Sequence, residues 1–173
     1  NTKGWKDIGY NYVMDKFGNI YIARYNPQFP SQDVLGAHTS SSNPYSFAIC
    51  FAGDYTSTQP SQASLDKLYE VLAWKCDLRG MDPTGTGFIV SKTIDIISGH
   101  RDAPDASTTC PGDMLYAQLP SIRTTVKGIL NLCADKTPPV TTITPSGGWK
   151  TENFQLNFTD TDNESGVAQS FYQ

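Results

Sequence analysis

Basic residues are in short supply in this 173-residue chain: 13 Lys and Arg stand against 17 Asp and Glu, giving a formal net charge of −4 and a pI near 5.0. No stripe of positive charge can form to hold phosphates, so nucleic acid is excluded as an expected partner. No apolar run approaches the ~20 residues that span a bilayer, which removes a transmembrane helix from the expectations. No signal peptide is present either; the chain is read as mature or trimmed material. Cysteine is sparse, with four residues at 50, 76, 110 and 133, too few for a dense disulfide framework. Histidine is scarcer still, with only His38 and His100. There is no internal repeat.

What remains describes a globular α/β protein. Hydrophobic residues make up 38% and aromatics 12%, and the length suits one domain, or one with part of another. Tyr10 to Asp15 and Ile20 to Arg24 are aromatic and β-branched runs around a Gly18-Asn19 tip, the pattern of a hairpin. Tyr10 and Tyr12, two apart on one strand, are expected to point the same way. Residues 26–46, rich in Pro, Ser, Gln and Asn, read as surface loops. Phe47 to Phe51 reads as a buried central strand in which Cys50 serves as a small hydrophobe. Leu65, Leu68, Tyr69, Leu72 and Ala73 recur at helical spacing after Ser61 and run up to Cys76, and Gly80 stops that helix. Phe88 to Val90 and Thr93 to Ile97 are short strands, the second delivering His100. Asp113 opens a last helix with an apolar stripe at Ile122, Val126, Ile129 and Leu130 around Pro120. If both helices pack on one sheet face, a Cys76–Cys133 bridge is feasible; two free core thiols fit equally well.

Past residue 133 the composition changes. Residues 134–140 form a Pro-rich linker, and residues 141–173 alternate as half-exposed strands do, like the start of a bacterial immunoglobulin-like module. About 35 residues cannot close a sandwich of ~100. Asp160 to Glu164 offers oxygen donors but lacks the spacing of a calcium loop, and reads as a solvated acidic turn.

The densest chemistry lies between Gly99 and Gly112, where an imidazole (His100) and a thiol (Cys110) flank a loop of Pro, Ala, Asp, Ser and Thr. These are the donor types that Zn²⁺ prefers, and a catalytic zinc takes three protein ligands and keeps one position open. On spacing alone, a loop histidine beside an inert cysteine fits as well. The wording goes further. His100-Arg101-Asp102 with Thr108-Thr109-Cys110-Pro111-Gly112-Asp113 resembles the signature of zinc-dependent N-acetylmuramoyl-L-alanine amidases of the peptidoglycan recognition protein type. Trp5 to Tyr12, Val34 to His38 and Ser46 to Tyr55 are similar to further blocks of that family, in family order over roughly residues 1–130.

The resemblance implies a mixed central β-sheet flanked by helices, with a partial β-sandwich segment at the C-terminus, and an amidase-like domain over residues 1–133 that lacks its first strand and helix. It implies Zn²⁺ on His100 and Cys110, with a third ligand, a histidine, placed upstream of Asn1. Tyr10 matches the catalytic tyrosine, and Thr108 a position near the substrate carbonyl. Arg101 and Asp102 are expected to order the ligand loop, and His38, Asn43 and Tyr45 to contact sugar or stem peptide. The implied activity is hydrolysis of the amide between N-acetylmuramic acid and L-alanine, with peptidoglycan or a muropeptide as partner and a secreted, periplasmic or cell-surface location. A non-catalytic peptidoglycan-binding module, or a structural subunit with cell-envelope protein partners, stays open beside it.

Overall fold

The computed structural model describes residues 7–26, 28, 34–134, 140–144 and 157–161. Trp5 and Lys6, most of the Pro-rich linker and the Cys133 side chain fall outside them. The chain divides into two units, Asn1–Ile129 and Leu130–Gln173. No helix among the described residues is long and apolar enough to cross a membrane.

In the first unit, β1 (Tyr12–Met14) and β2 (Ile20–Ile22) form the expected hairpin, and β3 (Ile49–Phe51) lies parallel to β1, giving a mixed sheet of order β2-β1-β3. The hairpin turn is made by Asp15, whose carboxylate accepts the amides of Phe17 and Asn19, and by Gly18 at φ +84°. The apolar run at 47–51 was expected in the sheet's centre. Instead β3 is an edge strand among the described residues, and Ile49, Cys50 and Phe51 are only half-buried, because β1 is their sole neighbour.

A bulge governs where β1 sends its tyrosines. The amides of Asn11 and Tyr12 both bond the Ala48 carbonyl, at 3.1 and 3.2 Å, so two residues of one chain oppose one of the other. The Asn11 side chain completes the exchange: its Oδ1 accepts the Ala48 amide and its Nδ2 donates to the Val34 carbonyl. Strict alternation is thereby broken. Tyr12 packs edge-on against Phe47 and under the Lys75 ammonium of the long helix, whereas Tyr10 stacks on His38. The expectation that both tyrosines point one way fails for this reason.

Helix α1 (Gln62–Arg79) starts where Ser61 accepts the Ser64 amide and ends at Gly80 in the left-handed conformation. Ser61 and Ser64 also donate to the Lys16 and Asp15 carbonyls, tying the helix to the hairpin. Leu65, Leu68, Leu72, Ala73 and Cys76 are its buried face. Cys76 is a free thiol. β4 (Thr86–Ile89) and β5 (Lys92–Asp95) form a separate hairpin, so the second does not run up to His100; that residue begins a short 3-10 turn, His100–Asp102. Helix α2 (Asp113–Ala134) continues through Pro120 and buries Leu115, Leu119, Ile122 and Val126. In the second unit, β6 (Val140–Thr144) pairs antiparallel with β7 (Asn157–Thr161). Asp160 and Thr161 are therefore strand residues rather than part of a turn.

Asn11 is 3% exposed and satisfies two backbone groups. Replacing it by alanine leaves both unpaired, so Asn11→Ala should lower unfolding stability by about 2–4 kcal/mol in a denaturant titration.

Candidate functional site

Two walls enclose a cavity of about 340 Å3. One is the segment from Ala37 through the 3-10 turn Ser40–Tyr45; the other is His100 and the loop that follows it to Thr108. The first wall is built by Asn43, whose side-chain oxygen accepts the amides of both His38 and Thr39. Its side-chain oxygen is thus committed to the scaffold. Gly36, two residues before His38, leaves room for its ring: a Cβ at Gly36 would sit 2.3 Å from the imidazole in its present position. The ring is 8% exposed, stacks on Tyr10 at 6.0 Å between centroids, and meets the Thr39 hydroxyl at Nδ1. Its Nε2 is buried and has no hydrogen-bond partner among the described residues. Burial pushes the imidazole's pKa down, and His100 and Arg24 act the same way, so His38 is neutral near pH 7.

The second wall is drawn together by Arg101. Its backbone amide bonds the Cys110 carbonyl at 3.0 Å, its guanidinium reaches the carbonyls of Cys110 and Thr109, and Nη1 pairs with Asp113 at 2.9 Å. The guanidinium also lies over the Tyr116 ring. Asp102 does not pair with Arg101; it accepts the Gly99 amide and the Tyr116 hydroxyl. Thr108 accepts the Cys110 amide through its hydroxyl oxygen, at 3.1 Å. Gly112, at φ +93°, lets the loop run against Tyr55, where a Cβ would come within 2.4 Å of the backbone. The Met114 amide then bonds the Tyr55 carbonyl.

Of the residues singled out from sequence, His38, Asn43, His100 and Thr108 line the cavity. Tyr10 and Cys110 do not line it, but they lie near one another. Burial pushes the Tyr10 phenol up, and the Cys110 and Cys50 thiols push it further. Cys110 is likewise raised by burial and then by Cys50, against the pull of Arg101. Tyr45 is 72% exposed and outside the cavity. Sequence reading missed Cys50, taken for a core residue, although alternation in β3 sets it opposite to Ile49 and Phe51. It also missed Tyr116 and the pair Ser41–Asp105, for which no local motif gives a signal, and it gave Asp113, the last residue of the signature, no role.

Whether these residues suit a zinc ion turns on number. His100 and Cys110 are the right donor types, and Arg101 ties their segments together. Yet among the described residues no three His, Cys, Asp or Glu side chains gather to hold a metal. The described residues do not complete a zinc site.

Because a guanidinium fork serves several acceptors and an ammonium cannot, Arg101→Lys should cost about 1–3 kcal/mol in stability. Hydrogen exchange would show faster loss of protection at the loop amides of Ala106 and Cys110, with α1 unchanged.

The profile of the family described as N-acetylmuramoyl-L-alanine amidase matches residues 1–113. The chain is 32% identical over 119 residues to peptidoglycan-recognition protein SC2 of Drosophila melanogaster, covering 69% of this chain and 55% of that one. It is 32% identical over 130 residues to the N-acetylmuramoyl-L-alanine amidase of Homo sapiens, covering 73% and 20%. The chain thus spans between a fifth and about half of the curated relatives it matches. Among solved structures, Drosophila PGRP-LB superposes with a TM-score of 0.52 at 31% identity, over 69% of this chain and 60% of that one. A variant of that protein, solved in complex with tracheal cytotoxin, superposes equally well at 30% identity, over the same shares of the two chains. The amidase LysC from Clostridium intestinale, 20% identical, shares the fold with a TM-score of 0.53 over 72% and 68%. A mixed sheet with flanking helices, a cleft bounded by His38 and His100, and a profile match over residues 1–113 agree: this chain belongs to the N-acetylmuramoyl-L-alanine amidase family.

Proposed function

We propose that this chain carries a peptidoglycan amidase domain that hydrolyses the bond between N-acetylmuramic acid and L-alanine. The observation that carries the reading is the Arg101-closed loop, which sets His100 on the cleft wall and Cys110 near Tyr10. In this reading His100 and Cys110 are two ligands of Zn²⁺, and the third is a histidine upstream of Asn1, where the resemblance puts it. When bound, zinc supplies Lewis acidity, lowering the pKa of a water and polarising the substrate carbonyl. The chain's own groups do the rest. Tyr10, kept protonated by burial, donates a hydrogen bond to the oxyanion that develops on that carbonyl. Thr108 uses its oxygen to fix Cys110, which leaves its hydroxyl hydrogen free to donate into the cleft. The buried Nε2 of His38 offers substrate the hydrogen bond it lacks. The site acts on the cell envelope, in a secreted, periplasmic or cell-surface setting, and β6–β7 begins an immunoglobulin-like module.

A second reading, peptidoglycan binding without cleavage, draws on the shortage of a third metal donor among the described residues. Release of L-alanyl peptides from muropeptides, with and without Zn²⁺, separates the two. Zinc-dependent release by a chain extended upstream to include the histidine, and little by the 173-residue chain, is the expected result; binding without release in both returns the binder. Tyr10→Phe in the extended protein should lower turnover about 10²-fold, the scale of one lost oxyanion donor, with stability nearly unchanged.

Zinc uptake should also depend on pH. The Cys110 thiol is raised above its ordinary value, so it is protonated near pH 7 and must release that proton to bind metal. Apparent zinc affinity should rise about tenfold per pH unit between pH 7 and 8.5, as read by competition with a chromogenic chelator.

A further inference from the structure

Amide hydrolysis leaves one group at the mouth of the cavity unused. Every side chain lining the cavity is uncharged or an imidazole except Asp105, the wall residues Arg101 and Asp102 being turned to their own loop partners. The Ala106 amide bonds the Ala103 carbonyl at 3.2 Å, which makes Ala103-Pro104-Asp105-Ala106 a β-turn with Asp105 in its third place. Its φ of +59° is the left-handed conformation that a type II turn requires there and that glycine or asparagine ordinarily fills. A carboxylate stands there instead. Its Oδ2 accepts the Ser41 hydroxyl at 2.6 Å, from a residue 64 positions away on the opposite wall. A carboxylate offers roughly four acceptor sites, so most remain open. No lysine or arginine pairs with Asp105 among the described residues.

We propose that Asp105 is a specificity-determining residue. From the mouth of the cleft its carboxylate reads a free ammonium on the substrate, so the chain prefers muropeptides whose stem diamino acid carries an unblocked side-chain amine. The inference rests on reading the cleft as a peptidoglycan site. Three features support it. The only formal charge among the side chains lining the cavity is negative, while the Arg101 guanidinium is engaged by Asp113 and two loop carbonyls, so the lining favours a cation. That negative charge is not neutralised by a neighbour. The Ser41 bond joins it to the opposite wall, which holds the carboxylate beside the cavity that it lines.

Asp105→Asn isolates the charge, since asparagine keeps the shape, keeps an acceptor for Ser41 and tolerates the left-handed backbone. The probes are muramyl-L-alanyl-D-isoglutaminyl-L-lysine and its Nε-acetyl form, with affinities measured by calorimetry on the 173-residue chain. The parent chain should bind the free amine about fivefold more tightly than the acetylated one at low salt. That ratio should approach one when salt is raised to about 0.5 M. In Asp105→Asn it should be close to one throughout, whereas Ser41→Ala should retain discrimination. Equal affinity of the parent for both probes, or an unchanged ratio in Asp105→Asn, overturns the assignment of Asp105 while leaving the peptidoglycan reading intact. Failure of the folded parent to bind either probe overturns that reading, and this inference with it.

Discussion

One guanidinium holds the site together. Between His100 and Asp113 the chain has no regular element beyond a single 3-10 turn, and a loop of that length would sample many arrangements by itself. Arg101 limits them. It gathers two consecutive carbonyls, those of Thr109 and Cys110, and a carboxylate at the start of α2, while lying over the Tyr116 ring. The planar fork of arginine matches such a set because its donors diverge in one plane. Asp102, next in sequence, fastens the other end of the loop to Gly99 and to the same tyrosine. Adjacent residues of opposite charge thus act on separate partners instead of on each other.

The two walls obey different logic. On the His100 side, polar side chains fold a loop upon itself. On the His38 side, Asn43 caps a short turn through its amide oxygen and packs an imidazole between a tyrosine ring and a glycine. The consequence is a neutral histidine with one nitrogen engaged and the other buried without a partner among the described residues, which is an unfavourable state.

Much of this was legible in the residues. Ser61, Gly80 and the leucine spacing mark α1 because capping and periodicity are local, and Asp15 to Asn19 carries its own turn chemistry. The loop motif located His100 and Cys110. What was not legible arises from contacts between distant segments. The edge position of β3 depends on which strands neighbour it, the end of β5 at Asp95 on its partner Thr86 at the start of β4, and the Ser41–Asp105 bond on two loops meeting across 64 residues. Of Asn43 and Tyr45, both expected at the groove, Asn43 lines the cavity while its oxygen holds the backbone of His38 and Thr39, and Tyr45 faces solvent. Tyr12 went astray because a bulge is written in hydrogen bonds that no spacing reveals.

That bulge also changes how the strand counts. Side chains on a regular strand have a parity, odd positions to one face and even to the other. Where Asn11 and Tyr12 share the Ala48 carbonyl, the parity resets, so the segment before it and the strand after it belong to two different counting frames. Tyr10 belongs to the frame that meets His38 and Tyr12 to the frame that meets Phe47 and Lys75. The extra residue is what allows one short stretch to send a phenol each way, and it makes the length of the chain between Gly9 and Val13, as much as its chemistry, a determinant of where those rings lie.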